Sequence, residues 1–260
     1  MTTQVVTRLA PTPSGYLHEG NAVNFLLVSW LARQRDAEVV LRIDDMDAPR
    51  MRPEYVDDIL DVLTWLEIGW ERGPRSREDF EARYSLARRT GHYREELDRA
   101  VARGLPVFAC RCTRREARDA GVAGCVGPCA AEDAPAAPGE TALRMRFPGV
   151  DPVLWRRDDL PSYHLASVIE DRDAAVTLVV RGDDLRQSTA VQRELAPYLA
   201  ADAFANAEFV HHPLLVGADG AKLSKSTRDH GPMTRDEASL RRVREHARAI
   251  AEPLGIDPAE

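Results

Sequence analysis

Three groups of residues in this chain have types and spacings that could do chemistry. The first centres on His18 in "APTPSGYLHEGNA", residues 10–22, where prolines and glycines separate an apolar run from a helix-like run. A histidine at a strand-to-helix turn stands where the first backbone N–H groups of the helix are unpaired and its dipole is positive, a place suited to phosphate. His18 could donate a hydrogen bond to such an anion; the alternative is an exposed loop histidine. The second group is "KLSKS", Lys222 to Ser226, with two lysines three residues apart. Two flexible ammonium groups can follow charge onto a leaving pyrophosphate and so stabilise the transition state more than the ground state. Taken alone, the pentapeptide reads as a solvated basic loop. The third group is Cys110-x-Cys112 with Cys125-x3-Cys129, which together hold all four cysteines of the chain. Two close thiol pairs in one stretch suit a tetrahedral zinc ion, with buried free thiols as the alternative.

These residues need a scaffold, and the pattern supplies an α/β one. "QVVTRLA" reads as a short buried strand, "AVNFLLVSWLARQR" as a helix with a broad apolar face and "AEVVLRID" as a second strand. That is a β-loop-α-β unit of the length a parallel crossover needs. "PEYVDDILDVLTWLEIGW" is an amphipathic helix opened by Pro53, and "YREELDRAVARG" a helix stopped by Gly104. The stretch 108–142 changes character, with the cysteines followed by an Ala/Pro/Gly linker, and reads as an inserted module. "AAVTLVVRGDD" resumes strand character, "STAVQRELAPYLA" is helical, and the tail is one helix opened by a capping box from Thr234 to Glu237. Zinc would fold the cysteine stretch, which is too short and polar to build a core of its own.

Composition narrows the partners. A formal charge of −7 argues against holding nucleic acid by bulk electrostatics, which leaves a local basic face, with Arg111, Arg114, Arg115, Arg156 and Arg157 as candidates. The N-terminus lacks a basic-then-apolar signal pattern and stretches such as "FLLVSWLA" are too short to span a bilayer, so the expected location is the cytoplasm.

"HEGN" (His18 to Asn21) and "KLSKS" resemble the HIGH and KMSKS signatures of class I aminoacyl-tRNA synthetases. "TRLAPTPSGYLHEGN", "LRIDDMD", "PSYHLASVIED", "VVRGDDL" and "STAVQ" follow in the order of the glutamyl-tRNA synthetase catalytic domain. With a short tail after Ser226, no anticodon-binding domain is expected, and in this the chain is similar to the glutamyl-Q tRNA(Asp) synthetase family. The resemblance implies a Rossmann-type parallel sheet with an inserted zinc-binding α+β module. It divides the chain into a first catalytic half (1–84), an insertion (85–180), a second half with the KLSKS loop (181–230) and a C-terminal helix (231–260).

By the same resemblance, the activity is ATP-dependent activation of glutamate and its transfer to the queuosine base in the anticodon loop of tRNA(Asp), by a cytoplasmic monomer that uses Mg2+ with ATP. His18, Lys222 and Lys225 would be catalytic, and Gly20, Asn21 and Ser224 would join them in binding ATP. Glutamate presents two carboxylates and an ammonium, so its site wants arginines and an acid. Motif position assigns Arg8 and Arg181 to the carboxylates, Asp44 to the ammonium, and Thr12 and Tyr163 to hydrogen bonds. Cys110, Cys112, Cys125 and Cys129 would hold Zn2+, with Cys125 where the family often has tyrosine. The chain departs from the family pattern at several positions: Asp44 replaces a usual Glu, Ser167 an Asn, Thr12 a Ser, and Asn21 the second His. Glu19 brings a carboxylate next to the expected triphosphate site, repulsive unless it points away. Two rivals remain, a related ligase passing an activated amino acid to a small molecule or carrier protein, and a catalytically silent binding module.

Overall fold

The computed structural model describes residues 4–46, 51–122, 124–132, 135–215 and 231–258. They form two compact units, one comprising residues 1–87, 174–186 and 207–260 and the other residues 88–173 and 187–206. Residues 187–206 fall with residues 88–173 in the second unit.

The first unit carries the parallel strands. β1 (Val6–Leu9) pairs in parallel with β2 (Glu38–Leu41), and β6 (Leu178–Gly182) with β7 (Glu208–His212). The two pairs meet where Thr177 N–H donates to Val6 O at 2.9 Å. Between β1 and β2 runs α1 (Glu19–Gln34), whose buried residues, from Ala22 and Val23 through Phe25–Val28 to Trp30–Ala32, lie on every side of the helix. A helix that is apolar all round belongs inside a core. It shares that core with Val56, Ile59, Val62 and Leu63 of α2 (Pro53–Trp65) and with Val243, Ala247, Ile250 and Ala251 of the C-terminal helix (Glu237–Ala251). The C-terminal helix opens on Asp236, whose Oδ1 accepts from Ser239 N–H at 2.7 Å. This corrects the expected capping box at Thr234: a short charged acceptor directly before the first helical residue wins the cap.

The second unit is α+β. α3 (Thr90–Ala102) ends before Gly104, whose φ of +92° lets the chain turn away. An antiparallel meander of β3 (Val107–Cys110), β4 (Ala142–Met145) and β5 (Val153–Trp155) follows. Cys110 ends β3, and α4 (Arg114–Asp119) lies with Cys112, Cys125 and Cys129 between β3 and β4. α5 (Tyr163–Asp173) and α6 (Arg186–Leu195) complete the unit. Among the described residues, no helix is long and apolar enough to cross a membrane.

Candidate active site

His18 is the N-cap residue of α1. Its Nδ1 accepts from Gly20 N–H at 3.1 Å, and its own N–H donates to Asn21 Oδ1 at 3.0 Å, a capping box closed by the HEGN tetrad itself. A ring whose Nδ1 is an acceptor carries its proton on Nε2 when neutral, so the tautomer suited to donating outward is fixed by the helix it caps. Gly20 gives the ring its room, because a Cβ there would stand 3.1 Å from both His18 Cε1 and Nδ1 and the imidazole would have to give by a few tenths of an ångström. Asn21 thus has a structural task, the cap, beside the nucleotide contact expected of it.

Glu19 points away from the helix mouth. Its Oε1 meets His246 Nδ1 at 2.6 Å and its Oε2 meets Arg242 Nε at 3.3 Å, both on the C-terminal helix. The acid next to His18 is thereby tied to two nitrogens of that helix.

The expected glutamate-binding residues of the first unit stand in the later part of the parallel strands or just beyond their carboxyl ends, the side on which open α/β sheets bind ligands. Arg8 lies on β1, Arg181 on β6, Thr12 on the exposed loop after β1, and Asp44 after β2, its N–H donating to Pro11 O at 2.8 Å. Arg8 and Arg181 are buried, and the Arg181 guanidinium lies 5.0 Å from the Phe209 ring centroid. Asp44 is held bidentately by Arg42, with Nε to Oδ1 at 2.6 Å and Nη2 to Oδ2 at 3.2 Å. Arg42 was missed in the sequence, although residues two apart on an extended strand share a face. Asp45, next in line, is buried, which raises its carboxyl above the usual range; it anchors Ser85 Oγ at 2.5 Å and Leu86 N at 2.8 Å. Lys222, Ser224 and Lys225 lie outside the described residues.

In the second unit, Tyr163 opens α5 and is exposed. One turn on, buried Ser167 donates to Tyr163 O at 2.6 Å and accepts from buried Gln192 Nε2 at 2.5 Å, so the residue replacing the family's Asn is tied to α6.

The cysteines come together in the same unit. The four sulfurs lie within 4.8 Å of one another, with Cys112 Sγ 3.7 Å from both Cys125 Sγ and Cys129 Sγ. Tetrahedral zinc with Zn–S bonds of about 2.3 Å separates its sulfurs by about 3.8 Å, so this donor set fits the ion. A Cβ on Gly127 would come 3.3 Å from Cys112 Sγ and 3.7 Å from Cys129 Sγ, so the glycine leaves the cradle open. The local core is little more than Phe108, Cys110 and Cys129. Burial and the neighbouring thiols push Cys125 up to about 12, whereas backbone N–H groups of Val126 and Gly127 and the adjacent thiols hold Cys112 below the usual range against burial. Four thiols this close cannot all ionise without a cation among them. Arg157, a candidate for the basic face, donates to Cys112 O at 3.0 Å and braces the C-x-C turn.

A model of the tRNA synthetases class I (E and Q), catalytic domain, matches residues 4–119 and 141–243. The chain belongs to this family. Among class I synthetase relatives, the glutamyl-Q tRNA(Asp) synthetase of Parasynechococcus marenigrum (strain WH8102) is 38% identical over 90% of this chain and 78% of its own length. The protein of that name from Nitratidesulfovibrio vulgaris is 34% identical over 84% and 76%. The glutamate–tRNA ligase of Nitrobacter winogradskyi is 35% identical over 86% of this chain, which spans 51% of that ligase. In fold, the glutamate-tRNA synthetase structure from Elizabethkingia anophelis superposes with a TM-score of 0.66 at 24% identity, over 86% of this chain and 53% of that one. The class I synthetase fold expected from the sequence is thus present, parallel strands included, and the named relatives are ligases.

Proposed function

We propose that this protein activates glutamate with ATP, giving glutamyl-adenylate and pyrophosphate, and passes the glutamyl group to queuosine in tRNA(Asp). The observation that carries the first step is His18 as N-cap of α1, its Nδ1 accepting from Gly20 N–H at a helix N-terminus suited to phosphate. The glutamate carboxylate attacks the α-phosphorus in line, and pyrophosphate leaves. His18 and the N-terminus of α1 hold phosphate oxygens. Lys222, Ser224 and Lys225 complete the ATP site by the family signature, taking up charge on the leaving group. Arg8 and Arg181, buried cations at the strand ends, receive the carboxylates of glutamate, and Asp44 its ammonium; Thr12 and Tyr163 belong to the pocket through the resemblance. Mg2+ accompanies ATP. Cys110, Cys112, Cys125 and Cys129 hold zinc, which cross-links a stretch of the second unit with little core.

Support for this acceptor comes from the relatives named glutamyl-Q tRNA(Asp) synthetase, each matched over more than three quarters of its length. The test is transfer of labelled glutamate to tRNA(Asp) with and without queuosine: label on the modified tRNA alone supports the reading, and label on a tRNA lacking queuosine points to a glutamate–tRNA ligase. The Arg42–Asp44 pair favours a second reading, in which a partly neutralised acid selects a different amino acid. A screen of amino acids in ATP–pyrophosphate exchange separates the two.

A further inference from the structure

Asp58 of α2 is only 3% exposed, yet it carries a carboxylate. Its Oδ2 accepts from Leu17 N–H at 2.8 Å, and Leu17 immediately precedes His18. Its Oδ1 faces Arg235 Nη2 at 3.4 Å, while Nη1 of the same guanidinium lies 3.3 Å from Asp61 Oδ2. Arg235 stands nine residues beyond Ser226, the last residue of KLSKS. Burying an acid among apolar side chains is unfavourable unless its oxygens are taken up, and desolvation does raise Asp58 above the usual carboxylate range, with Leu17 and Arg235 drawing it back. An apolar residue would fill the space without that cost, so the charge has a task besides packing.

We infer that Asp58 is the positioning residue for His18: its carboxylate fixes the Leu17 peptide just before the mouth of α1, with Arg235 as the counter-charge facing its other oxygen. The inference rests on His18 being the phosphate-binding group. Three contacts then hold His18: Gly20 N–H on the ring Nδ1, Asn21 Oδ1 on its backbone N–H, and Asp58 on the backbone N–H of Leu17 just before it. The Leu17 anchor is long-range, between residues 41 apart in sequence.

The substitutions separate the two partners of Asp58. Asp58→Asn keeps an amide oxygen for Leu17 N–H and loses the charge, Asp58→Ala loses both, and Arg235→Met leaves the Leu17 bond intact. Measured are kcat and KM for ATP and glutamate in pyrophosphate exchange, the Kd for ATP by calorimetry, and Tm. Asp58→Ala is expected to lower kcat by about tenfold to hundredfold and to raise the ATP Kd by about fivefold, with the glutamate KM moving less than about threefold. Asp58→Asn and Arg235→Met should keep at least about a third of the kcat even where Tm falls as far as in the alanine variant. If Asp58→Ala does not fold, Asp58→Leu, similar in size and without an acceptor, takes its place. Activity that tracks Tm across all variants, or an unchanged kcat and ATP Kd in the variant without an acceptor, overturns the inference while leaving the function standing. Wild-type protein that binds no ATP overturns the reading of His18 and the inference with it.

Discussion

Glu19 Oε1 lies 2.6 Å from His246 Nδ1, so the carboxylate that directly follows His18 is turned to the C-terminal helix, where Arg242 holds its second oxygen. A carboxylate at the first helical position already favours the helix N-terminus through the dipole. Its ties to His246 and Arg242 let the chain keep that acid while directing it away from the anion expected at the mouth of α1. Removing both partners by His246→Ala and Arg242→Ala should therefore raise the ATP KM in pyrophosphate exchange, by about threefold for a half-buried charge partly screened by solvent. Adding Glu19→Gln should reverse most of the rise. A KM that stays high in the triple variant would show that the C-terminal helix acts other than through Glu19.

Gly20→Ala is expected to lower exchange activity by about tenfold with little change in Tm. The new Cβ would sit 3.1 Å from the His18 ring, which must shift, while alanine itself suits a helix. Imidazole chemical shifts of His18 by NMR would report the shift directly; an unmoved ring with lost activity would place the effect elsewhere.

The four-cysteine cluster predicts one zinc per chain by elemental analysis, with loss of the ion in Cys112→Ser. Cys112 is the sulfur 3.7 Å from two others, so its removal opens the donor set at its centre. Chelation should reduce the thermal stability of the second unit, which has little apolar core around the sulfurs. Protein purified without metal and equally stable with and without chelator would contradict this.

Acid sensitivity should arise in the second unit. Glu96 and Asp173 are pulled up by burial but held below their ordinary values by Arg172, which donates to Glu96 Oε2 at 2.5 Å and to Asp173 Oδ1 at 2.8 Å. Because the folded values lie below the unfolded ones, near 4.5 and 3.8, their stabilisation is fully present above about pH 5 and lost as pH falls through the folded values. Arg172→Met should flatten the fall in Tm between about pH 5 and 3, measured by thermal melts across that range. The same slope in variant and wild type would assign the acid transition to other groups.

Much of the scaffold was legible in the chain. The short strands β1, β2 and β6 and the broadly apolar α1 announce themselves by composition, and the cysteine pairs by spacing. What stayed hidden depends on partners far away in sequence. Glu19 reads as a repulsive charge until His246, 227 residues on, is brought beside it. Asp58 reads as one more polar position on an amphipathic helix, since only the fold delivers Leu17 N–H and Arg235 to it. The helix Arg186–Leu195 follows β6 of the first unit in sequence, yet from Gln187 on it groups with the second unit, which local sequence does not announce. The Arg42–Asp44 pair was within reach, because alternation along an extended strand puts both on one side.

The most direct measurement is ATP–pyrophosphate exchange, without tRNA, across the standard amino acids, for wild-type protein and His18→Ala. Exchange with glutamate alone, reduced by about a hundredfold in His18→Ala, is the expected result. Exchange driven by another amino acid, or no exchange with any, would contradict glutamate activation at the α1 N-terminus.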